Sequence, residues 1–93
     1  MNPNEIIKEH INELHDVYFV SRIGVFGSFA RGEATEESDV DVLVEFNQRV
    51  DLFHFIGLQD RLTEILGRKV DLVTPKALKP LIKDQILREV LYV

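Results

Sequence analysis

GSFARGEATEESDVDVLVEF, residues 27–46, is the stretch that decides the fold. It follows Val20 to Phe26, a run rich in β-branched and aromatic residues that predicts a strand. Gly27-Ser28 breaks that strand, and a short turn of helix is expected before the acidic loop from Glu33 to Ser38. Ten residues separate Ser28 from Asp39. Asp39-Val40-Asp41 then leads into a second predicted strand, Val40 to Phe46. Side chains alternate along a strand, so Val40, Val42, Val44 and Phe46 form one apolar face. Asp39, Asp41, Leu43 and Glu45 form the other. The Cα atoms of Asp39 and Asp41 should lie ~7 Å apart, because a strand rises ~3.3 Å per residue.

The flanking sequence supplies the remaining elements. Asn2-Pro3 reads as an N-cap followed by proline at the first helical position. Ile6, Ile7, Ile11 and Leu14 recur at helical spacing, which predicts a helix over residues 3–15. Apolar residues from Leu52 to Leu66 fit a second helix, closed by Gly67. Lys69 to Thr74 is a third predicted strand, with Val70 and Leu72 on one face and Asp71 and Val73 on the other. Pro75 ends it. Lys76 to Glu89 is predicted helical, with a break or restart at Pro80, and the tail VLYV suits a short edge strand. This order predicts one domain over residues 1–93, a small mixed α/β (α+β) layer with helices on one side of a sheet.

Composition narrows the functional classes. The chain has 93 residues, 45% hydrophobic and 29% charged, which argues for a folded globular protein. Without cysteine, disulfides and thiolate metal sites are excluded, which suits a reducing cytoplasm. Runs free of Asp, Glu, Lys and Arg reach only eight residues, as from Ile23 to Ala30, too short to span a bilayer. The polar, acidic start MNPNEIIKEH is not a secretory signal. Net charge is −5, and residues 1–50 hold four basic and ten acidic residues. Direct binding of nucleic acid by charge is therefore not expected, and a polyanion such as ATP would need cations to mediate.

Asp39, Asp41 and Asp71 carry the chemistry. Two carboxylates on one strand face can converge on a pair of hard cations, and Asp71 can join them if its strand lies alongside. Carboxylates ~5 Å apart repel by ~3 kcal/mol at an effective dielectric near 20, so three together call for a counter-charge. Two Mg²⁺ ions fit, because Mg²⁺ binds through a few carboxylates plus substrate phosphates. Gly27 and Ser28 lie where a strand turns into a possible helix, pointing N–H groups and a hydroxyl into one concavity suited to phosphate. Arg31 is a candidate phosphate contact, or a structural partner of Glu33, Glu36 or Glu37. Ser38 is expected to orient the Asp39 loop.

Other polar and aromatic residues support blander readings. Glu45 is expected to be exposed or ion-paired. His10, His15 and His54 share no metal-ligand spacing. Phe53 and Phe55 read as core or interface residues, and Tyr18 and Tyr92 as packing residues. Lys76, Lys79, Lys83 and Arg88 read as a solvated helix face.

GSFARGEATEESDVDVLVEF, followed by LGRKVDLVT at residues 66–74, closely resembles the minimal nucleotidyltransferase (MNT) branch of the DNA polymerase β-like nucleotidyltransferases, over nearly the whole chain. The resemblance implies a mixed sheet flanked by helices. It implies that Gly27 and Ser28 hold the triphosphate, that Asp39 and Asp41 bind both metals, and that Asp71 binds one and helps activate the attacking hydroxyl. It further implies a HEPN-domain toxin as partner, neutralised by transfer of AMP from ATP to a toxin tyrosine. A second reading, motivated by the chain's acidity, is an antitoxin that masks the toxin by covering a basic RNA-binding face, with little or no catalysis. Association with itself or a partner is expected from the edge strand and surface phenylalanines.

Overall fold

Asn2 starts the first helix: its side chain accepts the Glu5 N–H and Pro3 takes the first helical turn. The computed structural model describes all 93 residues. Helix α1 is Pro3–Glu9 and α2 is Ile11–Tyr18, so the helix predicted over residues 3–15 is two helices and runs farther. His10 makes the break. Its N–H bonds the Ile7 carbonyl, and its ring Nδ1 lies 2.9 Å from the Ile6 carbonyl. Local hydrogen bonding thus diverts the chain without any proline or glycine. Phe19, left-handed at φ 61°, ends α2 and feeds the first strand.

Strand β1 (Val20–Phe26), α3 (Ser28–Arg31) and β2 (Val40–Phe46) follow as the sequence predicts. Asp51 caps α4 (Leu52–Leu66) by accepting the His54 N–H at 2.7 Å, and Gly67 closes it. Strand β3 (Val70–Val73) ends before Pro75. The region predicted as one helix with a break is a 3₁₀ turn, Pro75–Ala77, and α5, Pro80–Glu89. Proline opens each piece, where its missing N–H costs nothing. The tail forms β4, Leu91–Tyr92.

The sheet order is β3-β2-β1-β4. β1 runs antiparallel to β2 and β4, while β2 and β3 are parallel and joined through α4. Helices α1, α2 and α4 cover one face. Ile7 and Leu14 pack with Leu58 and Leu62 against Ile23, Val25, Val40, Val42 and Val44, all essentially inaccessible to water. Burial of each such leucine or isoleucine contributes ~1.5–3 kcal/mol. Arg61 of α4 ties this layer to α2 with a two-pronged bond to Glu13 at 2.7 and 2.9 Å.

The opposite face is not left to solvent throughout. Leu43, on the aspartate side of β2, is fully buried with Phe26 and Val90, and Ile86 of α5 packs onto them. So the helices lie mainly on one side, and α5 crosses the other. Gly24 permits this closure, because a Cβ there would press to 2.8 Å on the Leu91 carbonyl and the Val90 side chain.

Candidate active site

The pairing of β2 with β3 brings the aspartates together. In the parallel register Asp41 stands opposite Asp71, on strands spaced ~4.8 Å apart. Asp39 precedes β2 by one residue and shares the face of Asp41 by alternation. Asp39 and Asp71 are exposed, and Asp41 is half-buried. On its other side Asp41 pairs with Phe26, the last residue of β1. The chain therefore turns at Gly27 directly beside Asp41. Gly27 has φ 72° and ψ −149°, a conformation open essentially to glycine alone. A Cβ at this position would overlap the Asp41 carboxylate.

This arrangement perturbs Asp41. Burial first, then the neighbouring charges of Asp71 and Asp39, push its pKa upward, while Arg31 pulls the other way. No hydrogen bond from the protein contributes to stabilising its charged form. Lys69 approaches Asp39 only to 3.9 Å, and both side chains are exposed, so that pair contributes little.

Arg31 does not pair with Glu36 or Glu37. Its Nε donates to Glu33 at 3.1 Å and its Nη1 to Glu89 at 3.0 Å. Glu89 also accepts the Gly27 N–H at 2.7 Å. Burial opposes the Glu89 charge, but the Gly27 and Arg31 bonds prevail and hold its pKa below the usual carboxylate range. Phe26, Gly27, Arg31, Asp41, Ile82 and Glu89 line a cleft of ≈ 250 Å³. Ser28 is half-buried and opens α3. The Arg31 N–H closes this turn onto the Gly27 carbonyl, so the Ser28, Phe29 and Ala30 N–H groups have no partner within it.

Two contributors escape sequence reasoning. Glu89 is one, and it lies 62 residues from Gly27. Arg68 is the other: its Nη1 donates to the Thr35, Glu36 and Ser38 carbonyls at 3.0–3.1 Å, clamping the loop that delivers Asp39. The glycine after α4 hinted at a turn here but not at a long-range clamp. Ser38 orients the same loop as expected, its Oγ accepting the Thr35 N–H at 2.8 Å.

The histidines have structural partners: His15 pairs with Asp16, and His54 Nε2 meets the Tyr18 carbonyl at 2.7 Å. Glu45 pairs loosely with Arg22 at 3.8 Å. Phe55 packs on the core, whereas Phe53 is 84% exposed.

No group of three or more His, Asp or Glu side chains is gathered tightly enough to hold an ion unaided. The donor set nonetheless suits Mg²⁺. It is all carboxylate, with one member half-buried and raised in pKa by that burial and then by the charges of Asp71 and Asp39. Mg²⁺ typically binds through one or two carboxylates and completes its shell with water and phosphate oxygens.

Paired carboxylates on adjacent strands, under a glycine turn that opens a short helix, form the candidate site. A sequence profile of the nucleotidyltransferase domain family matches residues 5–93. The chain is 49% identical over 88 residues to the protein adenylyltransferase MntA of Thermococcus cleftensis, spanning 95% of this chain and 89% of that relative. Its fold is similar to a solved minimal nucleotidyltransferase, with TM-score 0.80 and 36% identity over 98% of this chain and 95% of that one. It is also similar to a toxin–antitoxin crystal structure with AMP-PNP, with TM-score 0.74 and 25% identity over 99% of this chain and 72% of that one. The chain belongs to the nucleotidyltransferase domain family and, within it, to the minimal nucleotidyltransferases.

Proposed function

We propose that this chain is a Mg²⁺-dependent antitoxin that transfers AMP from ATP to a tyrosine of a partner HEPN-domain ribonuclease toxin. The observation that carries this reading is the register of Asp41 with Asp71 beside the Gly27 turn. That register sets paired carboxylates beside the cleft lined by Gly27, Arg31 and Asp41. The relative from Thermococcus cleftensis is named a protein adenylyltransferase, and the toxin–antitoxin neighbour contains an ATP analogue.

Asp39 and Asp41 would hold two Mg²⁺ ions and Asp71 one of them. Bound there, Mg²⁺ supplies positive charge that neutralises the phosphates and eases loss of the hydroxyl proton. Gly27, its own N–H held by Glu89, lets the backbone approach the triphosphate, Ser28 meets it through its N–H and hydroxyl, and Arg31 lines the cleft beside Gly27 and Asp41. The tyrosine oxygen forms a bond to the α-phosphorus as the bond to the β-phosphate bridging oxygen breaks. Pyrophosphate leaves, and an Asp71 carboxylate oxygen accepts the hydroxyl proton. Asp71 suits this part because it is exposed on the outer of the two carboxylate strands.

Intact mass of the HEPN partner after incubation with this chain, ATP and Mg²⁺ tests the proposal. The expected result is added AMP, absent with Asp39→Asn. A stable complex whose toxin is inhibited without added mass would contradict transfer and favour masking. The charge of −6 in residues 1–50 gives that second reading its physical basis, since it complements a basic RNA-binding face.

A further inference from the structure

Glu89 closes α5 far from the aspartates in sequence, yet it grips both sides of the α3 turn. Oε2 accepts the Gly27 N–H and Oε1 accepts from Arg31. Its side chain is only 14% exposed, against 43% for Arg31. Such shielded, charge-assisted bonds are stronger and more directional than surface ion pairs. Glu33 also holds Arg31, but it is 65% exposed and does not reach Gly27. Glu89 therefore links two groups: the Phe26–Gly27 peptide, at the residue beside which Asp41 is seated, and the guanidinium in the cleft.

We infer that Glu89 is a positioning residue for the nucleotide, fixing the Gly27 peptide and the Arg31 guanidinium against Asp41 before the triphosphate arrives. This rests on the nucleotidyltransferase reading of the site and assigns it a member on the C-terminal helix. The bond to Gly27 uses the N–H preceding the turn, and no backbone bond takes the Ser28, Phe29 or Ala30 N–H. Glu89 thus braces the turn instead of filling it. Its own placement depends on the next residue: Val90 is buried against Phe26 and Leu43, which anchors the end of α5.

Glu89→Gln separates the two bonds. The amide oxygen still accepts the Gly27 N–H, but its NH₂ then confronts the Arg31 guanidinium, donor against donor. The test compares wild type, Glu89→Gln and Glu89→Ala in three measurements: melting temperature, Gly27 amide exchange by NMR without nucleotide, and MgATP affinity by calorimetry. In the wild type the Gly27 amide should be protected. Glu89→Ala should expose it and Glu89→Gln should not. Both variants should weaken MgATP binding on the order of tenfold, the loss expected for one charge-assisted hydrogen bond. In Arg31→Ala the further effect of Glu89→Gln should nearly vanish. With the partner as acceptor, Glu89→Gln should raise the KM for MgATP more than it lowers kcat. If Glu89→Ala melts too low to assay, Glu89→Gln carries the test, since it preserves volume. Unchanged or tighter MgATP binding in Glu89→Gln overturns the positioning role while leaving the nucleotide site standing. A wild type that binds no MgATP overturns the nucleotide reading and this inference with it.

Discussion

Asp41 is half-buried beneath Gly27, faces Asp71 across the strand pair, and receives no hydrogen bond from the protein to offset its charge. Because its pKa is raised in the fold, its charge costs stability at neutral pH, and the cost is relieved as pH falls through the raised value. Asp41→Asn keeps the shape and removes the charge. Without Mg²⁺ it should raise the melting temperature by roughly 4–8 °C, corresponding to about 1 kcal/mol in a domain this size. That is a solvent-screened fraction of the ~3 kcal/mol between charges ~5 Å apart. Thermal denaturation by circular dichroism in EDTA checks this, and a fall in melting temperature would mean that the carboxylate is structural. Asp39 and Asp41 were legible because period-two alternation places them on one face, whereas Asp71 joins them only through the pairing of β3 with β2. Glu89 and Arg68 were not. Each reaches its partners across 30 or more residues, and nothing local in ILREV or LGRKV marks those contacts.

The strands and α4 follow from patterning, turn residues and caps that agree with one another. The element that departs most is α5, which crosses the aspartate side of the sheet. Its sequence gave helix and restart but not face, because Ile82, Ile86 and Val90 form too short an apolar stripe to fix a side. Gly24 is what admits the chain there. With its Cβ position filled by the Leu91 carbonyl and Val90, Gly24→Val should strip β4 from β1. Displacing Val90 and Ile86 would then release Glu89 from Gly27. Hydrogen exchange should show residues 86–93 unprotected while α1, α2 and α4 keep their protection. Uniform loss of protection across the chain would contradict this division. The break at His10 was unreadable for a different reason: the helical period continues through it, and a histidine ring bonding back to Ile6 overrides the pattern.

At the scale of the molecule, the three-helix face holds the larger core and the opposite face carries the candidate site. Arg61 joins α2 to α4 on the three-helix face and, chiefly through its hydrogen bond, holds the Glu13 pKa low. A lowered carboxylate pKa contributes stability above its unfolded value of ~4.3, and that contribution is lost as pH falls through the folded value. Arg61→Met should therefore lower the melting temperature at pH 7 and match the wild type once pH has fallen through the lowered Glu13 value. A gap that persists into acid would assign the loss to packing. On the opposite face, the proposal is that the aspartates, beside the Gly27 turn, hold a magnesium nucleotide. Calorimetric titration of MgATP into wild type and Asp41→Asn tests it most directly. The expected result is saturable binding to the wild type, abolished by EDTA and lost in the variant while the fold persists. Equal MgATP affinity in the two proteins would contradict it.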